Sequence, residues 1–316
     1  MFPASSLIGL SSLALRSRAL VAPLLRELGL DVPSPAEGTP GDPGLFGPDS
    51  VVWRIARERI LLATGPSALL MQLAHPLVAA GVSDHSEFRR DPFLRLRATL
   101  NATLTISFGD RRQVERATAR VRATHNRVRG RLGTRTGPFP AGTLYDARHP
   151  DLAMWVHATL VEAALNGYAL LVRPLSEPDR ARYFEEVKPF AELFGVSASV
   201  MPATYGEFRR YLEDMVSGGD LAVGRDAREL GGAVLDPPVR LPVRPAAGMT
   251  KLIASRLLPA ALRRGYGLRW TATERAASSA IAAGVRAAVP VLPSAIRYWP
   301  HYRVAIRRTG GATKGA

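Results

Sequence analysis

Between Ile60 and Ser83 the chain carries no Asp, Glu, Lys or Arg, and the run is apolar almost throughout. That length is enough to cross a bilayer as one helix. Gln72, His75 and two prolines inside the run argue against a span. Pro66 suits the first turn of a helix. Pro76 instead pushes the residue before it, His75, out of the α region. The run therefore reads as a buried helix that ends or kinks at His75, with a second segment leading to Asp84-His85-Ser86. A helix that is apolar on every side needs neighbours on every side. The rest of the chain is expected to wrap it.

The 316 residues include no cysteine. That excludes disulfides, Cys-ligated zinc, iron–sulfur clusters and thiolate-ligated or CxxCH-attached haem. Any metal must be held by His, carboxylate or a cofactor ring. Nothing requires an oxidising compartment, and a cytoplasmic setting is expected. The net charge of +15 is unevenly placed: from Val239 onward there are fourteen Arg or Lys and one acid, Glu274. A basic segment interspersed with apolar residues suits an anionic membrane surface, met peripherally, or nucleic acid. No nucleic-acid motif is visible and few aromatics interleave with the charge, which argues against nucleic acid. A solvated face in an Arg-rich chain is the plain alternative.

Residues 2–30 read as an amphipathic helix; they lack the basic start of a signal peptide, and Arg16 and Arg18 interrupt the apolar stretch. The Pro-, Gly- and Asp-rich residues 31–50 read as a linker. These observations divide the chain into an arm and linker (1–48), a helical core (49–235) and a basic helical extension (236–316). Ser50 suits an N-cap for a helix through Trp53, Ile55 and Ile60. Asp91-Pro92 starts another, on which Arg95 and Thr99 share a face. From Arg111 to Arg129 a helix places Val114, Thr118, Val121, His125 and Val128 on one stripe. From Asp151 a long helix puts Met154, His157, Val161, Leu165 and Tyr168 on one face. Amphipathic helices follow over SEPDRARYFEEVKPFAELFG, Thr204–Val216, Met249–Leu262 and Thr273–Val289, with Gly231–Pro245 read as loop. No convincing run of alternating strands is present. The fold class is all-α, a single large helical domain.

His301, in a basic segment, and His149, before a helix, read as surface residues. His75, His85, His125 and His157 come from three helical regions. Each alone is an ordinary core or capping histidine; together in a cysteine-free chain they point to a metal or haem site. No HExxH, GxSxG, P-loop or GxGxxG is present. Asp84-His85-Ser86 holds the residue types of a triad, but adjacent residues do not converge as one. His85 and Glu87 form at most a local acid/base pair. A haem requires an apolar cleft between helices and one neutral imidazole on iron; Arg95 is a candidate contact to a propionate, and the remaining need is a distal wall whose polarity sets the outcome. Arg95 and Thr99 could supply the last, against the plainer readings of an ion pair and helix packing.

The stretches GPSALLMQLAHPLVAAGVSDHS, DPFLRLRATL, RATHNRVRG, YDARHPDLAMWVHATLVEAALNGY and PLSEPDRARYFEEV, over roughly residues 45–235, resemble the haem-dependent oxygenases that include the latex-clearing rubber oxygenases and MpaB. The resemblance implies an all-α domain with one non-covalent haem b (iron protoporphyrin IX). It implies cleavage of an isoprenoid carbon–carbon double bond by dioxygen. It matches the proximal iron ligand to His125, gives His157 a place in the haem pocket beside His75, and sets Arg95 and Thr99 on the distal helix. Rubber oxygenases carry a lysine just before that threonine; here the position is Ala98. Glu87 is the candidate base for an allylic proton. The expected partners are a hydrophobic small-molecule substrate and O2, with the electron donor unassigned. Two other readings stay open: a haem protein that senses or carries, and a membrane-surface helical protein without haem.

Overall fold

The computed structural model describes residues 32–33, 35–85, 92–237 and 244–310, with the side chains of 92–96 excepted. Ser50 caps the first helix by accepting the Trp53 backbone N–H on its hydroxyl at 3.0 Å. Helix α1 (Val51–Ala56) buries Val51, Val52, Trp53 and Ile55. A 3₁₀ turn (Arg59–Thr64) leads into α2 (Gly65–Leu73), and α3 (Pro76–His85) follows. Across the break the axes differ by 108°. The cause is local: Pro76 has no N–H to continue the ladder. No single helix among the described residues is long and apolar enough to cross a membrane.

Ending α2 early strands its last carbonyls, which need partners from outside the helix. The surrounding helices provide them. Tyr266 donates its hydroxyl to the Leu70 carbonyl at 2.7 Å, and Trp155 donates its indole N–H to that of Met71 at 3.2 Å. The Ala222 N–H reaches the Ala74 carbonyl at 2.9 Å. Helices α6 (Pro150–Leu171), α9 (Arg225–Leu235) and α10 (Arg244–Leu257) all pack on α2. The apolar run is thus wrapped as expected.

Helices α4 (Pro92–Phe108) and α5 (Arg111–His125) lie against each other, and a reciprocal Asp110–Gln113 capping box starts α5. The stripe read to Arg129 stops being helical at His125. The chain instead enters a small antiparallel hairpin, β1 (Arg129–Arg131) with β2 (Leu144–Asp146). Gly130 stands opposite Tyr145, and a Cβ on it would lie 2.5 Å from the Tyr145 hydroxyl. Helices α7 (Glu177–Leu193, capped by Ser176) and α8 (Tyr205–Ser217, capped by Thr204) follow. Gly231, read as loop, is helical in α9. A Cβ there would meet Leu70 at 2.8 Å and Tyr266 at 2.9 Å, so the missing side chain lets α9 approach α2.

The basic quarter is folded onto the domain. Helices α11 (Ala260–Gly265), α12 (Ala272–Ala288), α13 (Ser294–Arg297) and α14 (Pro300–Arg308) complete the described chain. Leu258, Leu262, Val289, Trp299 and Ile306 enter the same core as Trp53, Leu70, Trp155 and Phe184. Glu58, 1% exposed, accepts both arms of Arg297 at 2.8 Å. Arg308 donates to the Asp42 carbonyl at 2.8 Å and to that of Phe108 at 2.7 Å, tying the N-terminal loop to α4 and α14. His301, read as a surface residue, is buried, because α14 turns its His301–Val304–Ala305 face inward. The fold is all-α.

Candidate active site

Helix α6 sets the first side chain. Met154, His157, Val161, Leu165 and Tyr168 recur at three- and four-residue intervals and are all buried. His157 is 4% exposed, and neither ring nitrogen has a hydrogen-bond partner. Burial pushes its pKa down to about 4, so the ring is neutral near pH 7. A buried polar group left unpaired costs about 1–3 kcal/mol. An imidazole held this way is a free donor or ligand inside an apolar wall.

His157 stacks on Phe190, with centroids 6.2 Å apart and planes at 28°. Phe190 meets Phe194 at 5.0 Å, and Phe194 meets His125 at 6.3 Å. A run of four rings therefore joins α6 to the last residue of α5 through the end of α7. The ends of α5 and α7 are pinned together: Arg122 Nε donates to the Leu193 carbonyl at 2.7 Å. His125 is half-buried rather than fully inside, because its stripe opens towards the surface after Val114 and Thr118.

The other sequence candidates separate. Thr99 is on α4, which lies along α5, and its side chain is exposed. Arg95 is one turn earlier on α4, but its side chain, like Glu87, lies outside the described residues. His75 is buried at the α2–α3 bend, where its ring meets Phe139 at 5.3 Å. Its Nδ1 accepts the Leu77 N–H at 3.3 Å, and burial, opposed by Asp220, takes its pKa down to about 4. No ring contact joins it to the His157–His125 run among the described residues.

His85 is tied to the hairpin. Its Nε2 lies 3.0 Å from the Arg129 carbonyl and 3.1 Å from the Tyr145 hydroxyl. Tyr145 donates to Asp84 Oδ2 at 2.6 Å, so Asp84 and His85 are linked by a residue from β2. His149 is exposed, 3.6 Å from Asp151.

Residues 52–288 match the family model described as ER-bound oxygenase mpaB/B'/Rubber oxygenase, catalytic domain. The chain belongs to the mpaB/rubber oxygenase family. The match begins inside α1 and closes on the last residue of α12. It thus takes in helices beyond residue 235, where the motif resemblance was traced to end. The domain is an oxygenase catalytic domain, which makes the protein an oxidoreductase. No curated protein and no solved structure matches the chain.

Sequence reading missed Phe190 and Phe194. Both sit four apart at the end of an amphipathic helix, and that spacing marks a shared face without saying what the face meets.

Proposed function

We propose that this mpaB/rubber oxygenase family member is a haem b-dependent oxygenase that uses O2 to cleave a carbon–carbon double bond in a hydrophobic, isoprenoid or lipid-like substrate. The observation that carries the reading is His157, a neutral buried imidazole with both nitrogens unpartnered, joined through Phe190 and Phe194 to His125. Among the described residues no three His, Asp or Glu side chains converge as a metal cage. A haem needs one imidazole from the protein, and the neutral, unpartnered His157 and the half-buried His125 fit that need. Two clefts, of about 170 and 250 Å³, line other parts of the surface, and neither includes His125 or His157.

When bound, the haem supplies the dioxygen chemistry. His125, held by the Arg122–Leu193 contact between α5 and α7, would be the iron ligand. His157 and Phe190, stacked on each other, would wall the pocket and exclude water. Arg95 and Thr99, one turn apart on α4, would supply polar groups toward dioxygen, with Ala98 where rubber oxygenases carry a lysine. Glu87, outside the described residues, is the carboxylate that would take an allylic proton from the substrate. The basic C-terminal helices bring this cytoplasmic chain to an anionic membrane surface, from which a lipid-like substrate is drawn.

The test is the absorption spectrum of purified protein, oxidised and dithionite-reduced, beside His125→Ala. A Soret band with a b-type pyridine haemochrome, lost in the variant, is expected. A colourless wild type that ignores added haemin overturns the reading. Haem binding without substrate-dependent O2 uptake identifies a carrier or sensor instead.

A further inference from the structure

A cleft of about 250 Å³ lies between α4, α5 and α14, away from the His125–Phe194 contact. Arg116, Arg120 and Arg308 line it, and among the described residues no acidic one does. Arg116 and Arg120 are one turn apart on the same face of α5. Both are exposed and neither makes an ion pair or side-chain hydrogen bond among the described residues, whereas Arg54, Arg148, Arg209 and Arg297 each meet an acid. Arg308 forms the inner wall, held by backbone carbonyls. The nearby Asp110 is already taken: its carboxylate accepts from Thr39 and Gln113.

His301 adds an independent observation. It is 4% exposed, it lines the cleft, and its Nδ1 is buried with no partner. Burial, helped by Arg59, brings its pKa down to about 4. Its ring is therefore a neutral hydrogen-bonding group in a wall that also carries Asn101, Thr105 and Gln113 beside the three arginines. Phe108 and Val304 supply an apolar floor.

We infer that this cleft is a second binding site, taking a small organic anion whose carboxylate or phosphate meets the Arg116–Arg120 pair while a short apolar body rests on Phe108 and Val304. Two unpaired guanidinium forks one turn apart match the geometry of a carboxylate or phosphate. The volume is slightly below that of pockets for drug-sized ligands, which limits the occupant to a small molecule or a headgroup.

The experiment is calorimetric titration of the full chain with three probes: hexanoate, inorganic phosphate, and phosphatidylcholine vesicles containing phosphatidylglycerol. The variants are Arg116→Gln with Arg120→Gln, His301→Phe, and Arg210→Gln, exposed on α8, as a surface control. Removing two exposed, unpaired arginines is expected to leave the melting temperature unchanged, so loss of binding is not loss of fold. At least one probe is expected to bind, at least tenfold more weakly to the double Arg variant and several-fold more weakly to His301→Phe, with the control within twofold of wild type. Hexanoate or phosphate binding in that pattern identifies a soluble anion; vesicle binding alone, with the same Arg dependence, identifies a lipid headgroup. No binding of any probe, or equal binding to wild type and the double variant, overturns the inference. None of these readouts involves haem or oxygen, so the outcome is separate from that of the oxygenase reading.

Discussion

Acid should unfold the haem-free chain earlier than its carboxylates alone would, and His157→Phe should remove a fixed share of that effect. His157 has a folded-state pKa of about 4 against an ordinary 6.5. The unfolded chain therefore takes up a proton that the folded chain refuses. Stability from the neutral ring is full above about 6.5 and is lost as pH falls towards 4. At pH 5 the loss is about 2 kcal/mol for one such histidine. His75 and His301 carry the same displacement, to about 4, for the same main reason, burial. Together the three cost roughly 6 kcal/mol between pH 7 and pH 5, against a total stability of about 5–15 kcal/mol for a protein. Asp146, held down to about 2 chiefly by its hydrogen bond to Arg148, gains its proton below that window.

His157→Phe leaves two of the three, so its loss over the same interval should be roughly 4 kcal/mol. At pH 7 the variant also sheds two unpaired nitrogens, which favours it by about 1–3 kcal/mol; the larger ring in a packed core works the other way. The pH difference is insensitive to that balance. Urea unfolding of the haem-free chain at pH 7 and pH 5, followed by circular dichroism, measures it. Equal losses in wild type and variant would show that His157 is not a buried neutral ring, and the reasoning about the site would fail with it.

Glu58→Gln leaves Arg297 without its buried partner and is expected to cost about 3–5 kcal/mol in urea unfolding. Tyr145→Phe loses the hydrogen bonds to Asp84 and His85; about 1–2 kcal/mol is expected, with faster amide exchange in the β1–β2 hairpin. Gly44→Ala meets both a positive φ of 76° and a Cβ 1.9 Å from the Gly109 carbonyl oxygen, so a loss above about 1 kcal/mol is expected in thermal melts. Phe194→Ala clears the ring beside His125; stopped-flow Soret measurements should show faster haemin uptake than wild type, and slower uptake would mean that Phe194 builds the pocket rather than fills it.

What the sequence determined by itself was whatever acts within about one helical turn. Pro76 breaks the apolar helix because a missing N–H affects only the nearest backbone. Ser50, Ser176 and Thr204 cap helices because a side-chain oxygen reaches a backbone N–H three residues on. The three- and four-residue spacing on α6 put His157 inside, since one face of a long helix must be covered. The resemblance of the quoted stretches to the oxygenase family stood on the same local patterns and agrees with the family match over 52–288.

Tertiary structure decided what those faces meet. Glu58 finds Arg297 across 239 residues. Tyr145 links Asp84 to His85 through a hairpin that is invisible in the sequence pattern, because three-residue strands carry too few residues to show alternation. Gly231 reads as a loop residue until Leu70 and Tyr266 are seen to need the space of its absent side chain. His301 reads as a surface residue in a basic segment because nine residues are too few to show which face turns inward. The run from His157 through Phe190 and Phe194 to His125 involves three helices. Spacing along one helix sets which residues share a side, but the partner across the gap depends on how the helices pack, and that is settled only by the whole core.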